Sequence, residues 1–282
     1  MPVEVFLTTV VSEADTTKAR SVIHGFTETR SVTHRYTRVR HLRRLDLNVR
    51  GIPILKSLQQ SSSNNPSRPD SLPQWQELHT ALSRQQYMLT ERLDVTQEVE
   101  AAMTTGQAVP LSEQTQKGER MMRWNDFPDP PNPRVAQTVM QRKQIEIREP
   151  GSLLEQHLAD SGFSVYNEYI EEAYHWWHNN NLEFVLWRQY YDLPQQPLSM
   201  VQAPDQPVWS VPDLSKISPV SPFWMLNVRA LVDATPVDKM AERMAEAHAK
   251  LGKVEKDLEG VFSFMVFDRR ALDTRYTGEE QQ

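Results

Sequence analysis

The chain has 282 residues and a formal net charge of −6, with 39% hydrophobic and 24% charged residues. At roughly 100–200 residues per domain, this length allows one large domain or two small ones. The absence of Cys excludes disulfides, thiolate metal sites and cysteine nucleophiles. The acidic balance argues against a dedicated nucleic-acid-binding domain, which is expected to be basic as a whole. No run approaches the ~18 apolar residues of a membrane-spanning helix, so we expect no membrane span.

One basic stretch stands out against this acidic background. Residues Arg30 to Arg50 contain seven Arg and a single acid, Asp46, so the stretch carries +6 and the remainder of the chain −12. Such asymmetry is typical of an interaction surface, and an arginine-rich nucleic-acid-binding module is one interpretation. A strand with arginines on its exposed face would give the same pattern, and the sequence leaves both open.

The first half of the chain alternates between strand and helix patterns. Residues 3–11, VEVFLTTVV, are β-branched and aromatic and predict a strand. Ser12 with Asp15 predicts the start of a helix. That helix places four apolar residues on one face: Ala19, Val22, Ile23 and Phe26. The elements predicted next are a strand at 31–42, a helix at 75–85, and strands at 86–95, 119–124 and 135–148.

The second half has the clearest patterns. Ser152 with Glu155 predicts a capping box for a helix that stops at Gly162. Two aromatic and β-branched runs, 163–177 and 182–193, flank an Asn-rich turn and predict a hairpin. The remaining predicted elements are a strand at 223–234, a helix opened by Thr235 and Pro236, and a last strand at 261–275.

Polar or proline-rich segments interrupt these elements. Residues 56–73, 96–118 and 192–222 are predicted to be flexible inserts, and 126–133 contains four Pro in eight residues. Pro removes a backbone donor and restricts the residue before it, so these segments should run as extended connections. We therefore expect residues 1–282 to form one domain with long loops.

The order of the elements favours an α+β fold. Strands follow one another in runs and hairpins instead of alternating strictly with helices. We predict a mainly antiparallel sheet of about eight strands, curled into a barrel, with three or four helices packed on it.

The sequence lacks the usual catalytic signatures, including G-x-G-x-x-G, H-E-x-x-H and G-x-S-x-G. His175 and His178 are three residues apart on a predicted strand and should point to opposite faces, so they should not share a metal. A triphosphate-tunnel hydrolase needs Glu-x-Glu pairs on inward strand faces, and the only such pair, Glu98 and Glu100, lies in a predicted loop. We expect the inward faces to carry Trp, Tyr and Met instead. The prediction is therefore a protein without catalysis, metal or cofactor, with an RNA triphosphatase as the enzymatic alternative.

Several segments, in this order, resemble those of a known family. They are residues 3–26, 75–95 with MMRWNDFP at 121–128, 158–177 and 262–275. Together they contain 87 of the 282 residues and are spread from residue 3 to residue 275. This ordered set is similar to subunit 18 of the Mediator complex in its fungal form.

The resemblance implies a function as well as a fold. Members of this family are non-enzymatic and have an antiparallel β-barrel-like fold. The expected partners are Mediator subunit 20, which forms a heterodimer with the barrel, and a helix of Mediator subunit 8 that tethers the pair to the other head-module subunits. The expected role is that of a nuclear coregulator of RNA polymerase II transcription, without sequence-specific nucleic-acid binding of its own.

Aromatic residues indicate where such a helix would dock. Trp176 and Trp177 are adjacent and face opposite sides of a strand, so one is expected in the core and the other outward. An amphipathic helix docks into a shallow apolar groove. The candidates for the groove are Trp177, Trp187, Tyr191 and Phe223. The candidates for its polar rim are Arg269, Arg270 and Arg275, although their alternation with Asp268 and Asp273 is equally typical of a solvated face.

Overall fold

A computed structural model describes residues 1–29, 31–55, 71–95, 119–130, 138–179, 181–190, 214 and 217–276. The predicted inserts at 56–73, 96–118 and 192–222 lie wholly or largely outside these residues, as do Tyr191 and the Glu98–Glu100 pair. Among the helices within these ranges, none is long and apolar enough to cross a membrane.

Eight antiparallel strands close into a barrel, as the sequence predicts. They are β1 (Val3–Ser12), β2 (Thr33–Arg44), β3 (Leu89–Asp94), β4 (Glu119–Asn125), β5 (Met140–Pro150), β6 (Phe163–His178), β7 (Leu182–Tyr190) and β8 (Phe223–Val232). Around the barrel the order is β1-β5-β4-β3-β2-β6-β7-β8, and β8 pairs with β1 to close it. The predicted hairpin is β6–β7, with Asn179 of its turn in the left-handed region at φ 51°.

Within the described residues four α-helices pack on the barrel, so the α+β prediction is confirmed. They are α1 (Thr16–Thr27), α2 (Leu72–Arg84), α3 (Gly151–Asp160) and α4 (Met240–Asp257). Short 3-10 helices occur at Glu13–Asp15, Val237–Lys239 and Arg269–Leu272.

One of the two predicted helix caps forms and the other does not. The Ser12 hydroxyl accepts from the backbone N–H of Asp15 at 3.2 Å, capping the 3-10 turn that leads into α1. The capping box of Ser152 with Glu155 is wrong, since α3 begins at Gly151 with Pro150 as its N-cap and no side-chain cap. The Glu155 carboxylate instead accepts hydrogen bonds from two arginines, and charge-assisted bonds are stronger than a cap.

The apolar clusters lie outside the barrel, between its strands and helices. Along β1, Val3, Val5 and Leu7 face a cluster that includes Ile23 of α1 and Leu251 of α4. A second cluster packs α2 and α3 against β5. It contains Trp75, Leu78 and Leu82 of α2, Leu154 of α3, and Ile145 and Ile147 of β5. Because successive strand residues point to opposite faces, outward apolar residues leave the alternate positions facing the barrel interior.

The prediction of a last strand at 261–275 is wrong. Residues 261–268 form no named strand, although Met265 N–H donates to the Thr8 carbonyl at 3.0 Å and the Thr9 hydroxyl donates to the Ser263 carbonyl at 2.7 Å. β1 pairs with β5 only at Val3–Phe6, so its later half has an open edge there. The segment Ser263–Met265 covers that edge without forming a continuous ladder.

The boundary of the first insert also needs correction, because α2 begins at Leu72 inside the predicted segment 56–73. The Ser71 hydroxyl and the Trp75 indole N–H both donate to Oε1 of Glu149, at 2.5 and 2.7 Å, and His157 Nδ1 lies 3.1 Å from Oε2. Burial alone would raise the pKa of Glu149, but hydrogen bonds from His157, Ser71 and Trp75 lower it. This buried carboxylate therefore ties α2 and α3 to the end of β5.

Candidate functional site

The interior of the barrel is charged. The inward positions carry Glu4, Arg123, Glu146, Glu183 and Arg229, which all line one cavity. The expectation that inward faces carry Trp, Tyr and Met in place of charged residues is therefore wrong at these positions, although Met121 and Trp177 line the same cavity. Trp176, Phe184 and Trp224 lie outside the barrel and are buried in the apolar cluster beneath α1 and α4, because the helices supply the apolar environment there.

A chain of ion pairs runs along one wall of this interior. Arg142 Nε donates to Glu4 Oε2 at 2.7 Å, and Arg229 donates to the other Glu4 oxygen at 3.3 Å. Arg229 Nε also donates to Glu183 Oε2 at 2.6 Å, and His175 Nδ1 lies 2.7 Å from Glu183 Oε1. The Glu4 carboxylate is thus bound by Arg142 and Arg229, and the Glu183 carboxylate by Arg229 and His175.

The electrostatics keep these buried acids ionised. Burial alone would raise the pKa of Glu4, but the guanidinium groups of Arg142 and Arg229 lower it to about 2. The pKa of Glu183 is also about 2, because the hydrogen bond from His175 and the charge of Arg229 outweigh burial. Neither acid is poised to accept a proton near neutral pH.

The opposite wall has its own pairs. Arg123 donates to Glu146 Oε1 through Nε at 3.0 Å and through Nη2 at 2.6 Å, and Arg92 forms a two-pronged pair with Glu171. Burial and the charge of Arg229 lower the pKa of Arg123 to about 10, although Glu146 opposes this. Positive charge is therefore crowded at the centre of the barrel.

A cavity of about 620 Å³ opens at one end of the barrel, where β1, β2, β4 and β7 begin and β3, β5, β6 and β8 end. We call it the arginine cavity. Its charged lining consists of six arginines and four carboxylates: Arg35, Arg92, Arg120, Arg123, Arg148 and Arg229, with Glu4, Asp94, Glu146 and Glu183. Trp177 is 48% exposed and Leu231 54% exposed, and both line the opening.

The described residues contain no group of three or more His, Asp or Glu arranged to hold a metal ion. The prediction for the histidine pair is confirmed in its geometry: His175 points into the barrel towards Glu183, whereas the His178 ring lies against Phe26 of α1, with centroids 5.3 Å apart.

The predicted groove residues fall at two ends of the barrel. Trp177 lines the arginine cavity, while Trp187 and Phe223 lie towards the other end, where Trp187 is opposite Met225 in the β7–β8 register. Trp187 is half-buried, and Phe223 is 48% exposed. Val10, opposite Met225 on β1, is also exposed. The structure thus brings Trp187 and Phe223 to one end and separates Trp177 from them.

The predicted rim arginines differ in what they contact. The guanidinium carbons of Arg269 and Arg275 each lie 4.3 Å from the ring centroid of Phe127, and Arg269 Nε donates to the Pro128 carbonyl at 2.7 Å. These two arginines therefore fasten the C-terminal segment to the loop after β4. Arg270 forms an exposed ion pair with Asp268, which matches the solvated-face alternative.

The basic stretch around β2 is largely paired within the fold. Arg38 and Arg40 both donate to Glu168, and Arg40 also reaches Glu91 and Glu155. Arg44 is buried and donates to backbone carbonyls, including that of Ser161 at 2.9 Å. Sequence reasoning missed these roles because every acidic partner lies at least 50 residues away. The strand pattern places alternate arginines on opposite faces of β2, and this alone indicated that the arginines would lie in two different environments.

These features define a class: a closed, eight-stranded antiparallel barrel with apolar clusters and helices outside and a paired ionic interior. The family model described as Med18 protein matches residues 3–275. The chain belongs to the Med18 family, which confirms the resemblance to Mediator subunit 18.

The chain is similar to several solved structures. One chain in the structure of the Schizosaccharomyces pombe Mediator head module has 14% identity and a TM-score of 0.56, with 93% of this chain and 97% of that chain covered. The PH1819 protein of Pyrococcus horikoshii has 13% identity and a TM-score of 0.42, with 95% and 97% covered. A putative adenylyl cyclase from Hippeastrum has 8% identity and a TM-score of 0.42, with 96% and 94% covered. No curated protein matches the chain.

Proposed function

We propose that this protein is a non-enzymatic subunit of the Mediator head module and acts in the nucleus as a coregulator of RNA polymerase II transcription. The family match over residues 3–275 is the observation that carries the proposal. The likeness to a chain of a head module over nearly its whole length supports the same assembly.

Within that assembly we propose that the barrel pairs with Mediator subunit 20 and holds a helix of Mediator subunit 8. The exposed apolar residues Val10 and Phe223, with Trp187 and Met225 beside them, would supply the groove for that helix. An amphipathic helix needs such a surface for its apolar face. Tyr191 remains a candidate for the same groove, and Arg270 and Arg275 are the candidate rim residues that are exposed to solvent.

The paired interior supports a non-enzymatic role. A divalent cation would need carboxylates free to bind it, and Glu4, Glu146 and Glu183 are each bound by guanidinium groups. The nucleic-acid alternative is weakened in the same way, because Arg38, Arg40 and Arg44 are engaged within the fold.

The test is co-purification from nuclear extract of the tagged full-length chain, followed by mass spectrometry. We expect the head subunits, including subunits 8 and 20, to be recovered with it. Recovery of the folded chain without any Mediator subunit would overturn the proposal. Recovery of head subunits with subunit 20 absent would retain the assembly and overturn the pairing.

A further inference from the structure

We infer that the arginine cavity binds an acidic segment of a partner protein, with its carboxylates among the cavity arginines and an adjacent apolar side chain against Trp177 and Leu231. The inference goes beyond the proposed head-module assembly, because it concerns the opposite end of the barrel from Trp187 and Phe223.

The shape of the site supports a ligand. Its volume of about 620 Å³ is within the range of ligand-binding pockets. Trp177 and Leu231 are about half exposed at its opening, although both side chains are large and apolar. Exposed Trp side chains beside a recess are frequent anchors of binding interfaces.

The charges at the opening are incompletely matched. Arg148 is 60% exposed and lies 3.8 Å from Glu146, a carboxylate that Arg123 already binds twice. Arg35 reaches Asp94 through Nη1 at 3.2 Å. Arg92 and Arg120 pair with Glu171, Glu91 and Glu155, which lie outside the lining, so Arg148 is the cavity arginine with the longest ion pair.

Unused hydrogen-bonding atoms lie in the same lining. The Nε atoms of Arg35 and Arg120 and the Nε2 atom of His175 are buried and have no hydrogen-bond partner within the described part of the chain. His175 is itself more than nine-tenths buried. Buried donors without partners cost free energy, and carboxylate oxygens would accept from the two guanidinium groups.

An acidic peptide fits these features better than a nucleic acid or a polyphosphate. The exposed and weakly paired Arg148 matches a carboxylate, whereas Glu4, Asp94, Glu146 and Glu183 would repel a dense row of phosphates. A small inorganic anion would leave Trp177 and Leu231 uncovered.

Fluorescence anisotropy with the full-length chain tests the inference directly. The probe is a fluorescein-labelled peptide of sequence DEDFDE, and the comparison peptides are NQNFNQ and DEDSDE. We expect DEDFDE to bind, with an affinity that falls as NaCl is raised, and both comparison peptides to bind more weakly. Equal binding of all three peptides would overturn the inference, as would the absence of binding by DEDFDE.

Variants locate the site. Trp177→Ala is expected to weaken binding at least ~30-fold, and Arg35→Gln combined with Arg148→Gln about 3–10-fold. Arg84→Gln, at an exposed arginine outside the cavity, is the matched control and should bind as the unaltered chain does. Equal losses in the control and the cavity variants would overturn the assignment. Tighter binding of oligouridylate RNA or inorganic tripolyphosphate than of DEDFDE would overturn the choice of a peptide. Because this assay uses the purified chain alone, its failure leaves the co-purification test unaffected.

Discussion

Arg44 and Tyr276 are joined by two hydrogen bonds across 232 residues of sequence. The Arg44 backbone N–H donates to the Tyr276 hydroxyl at 2.8 Å, and that hydroxyl donates to the Arg44 carbonyl at 3.3 Å. The C-terminal segment is thereby fixed to the end of β2, close to the buried Arg44 guanidinium.

Removing the hydroxyl should destabilise the fold. Tyr276→Phe loses both bonds and leaves two backbone groups of Arg44 without this partner, so we expect a loss of about 1–2 kcal/mol in the free energy of unfolding. The melting temperature should fall by ~2–6 °C. Calorimetry measures both. Tyr166→Phe, at a tyrosine that is 52% exposed, is the control and should melt as the unaltered chain does.

Stability should decrease in acid because of the interior carboxylates. The pKa of Glu4 in the folded chain is about 2, below the ordinary value of 4.5, and Glu183 shows the same shift. The unfolded chain therefore binds more protons between these values, and the stability from both groups is lost as pH falls from about 5 to 2. Urea unfolding across this range should show the loss. Glu4→Gln should flatten the dependence, whereas Glu246→Gln, at an exposed helical position, should preserve it. An unchanged slope in Glu4→Gln would contradict the prediction.

The groove assignment predicts a specific binding defect. Phe223→Ala and Trp187→Ala should each weaken binding of the subunit 8 helix by ~2–4 kcal/mol, because buried aromatic anchors carry much of an interface energy. Isothermal titration calorimetry with a synthetic helix measures this. Tyr166→Ala removes an aromatic ring of similar exposure elsewhere and should bind normally. Normal binding by both folded variants would place the helix on another surface.

No metal-dependent release of phosphate from 5′-triphosphate RNA is expected. The interior carboxylates are occupied by arginines, and displacing a buried guanidinium to admit a cation leaves that charge unpaired. A phosphate-release assay with magnesium or manganese is the measurement. Activity that requires the metal and is lost in Glu4→Gln or Glu98→Ala would show the prediction to be wrong.

The sequence predicted the local elements better than their orientation. Alternation along β1 shows that Val3, Val5 and Leu7 share a face, but it does not say whether that face is inside or outside the barrel. Here α1 and α4 cover the outside, so the charged face of Glu4 turns inward. A periodic pattern does not say whether the apolar face of a strand is covered by helices outside the barrel or by side chains inside it.

The wrong predictions concern residues whose contact partners lie far away in the sequence. Glu155 does not form its predicted capping box, because its carboxylate binds Arg40 and Arg120, which lie 115 and 35 residues earlier. The apolar run after α4 predicts a strand, yet it bonds only intermittently to β1. Arg269 and Arg275 are candidates for a polar rim or for a solvated face on sequence alone, and local sequence does not show their contact with Phe127.

The covered edge of β1 also constrains when the barrel can be completed during synthesis. Thr8 leaves the ribosome early, but its hydrogen-bond partner Met265 is 257 residues further along, and β8, which pairs with all of β1, also comes late. Closure therefore has to wait until translation has passed residue 232, and the later half of the β1 edge is covered only after residue 265. Contacts of such long sequence separation slow folding and leave strand edges open meanwhile.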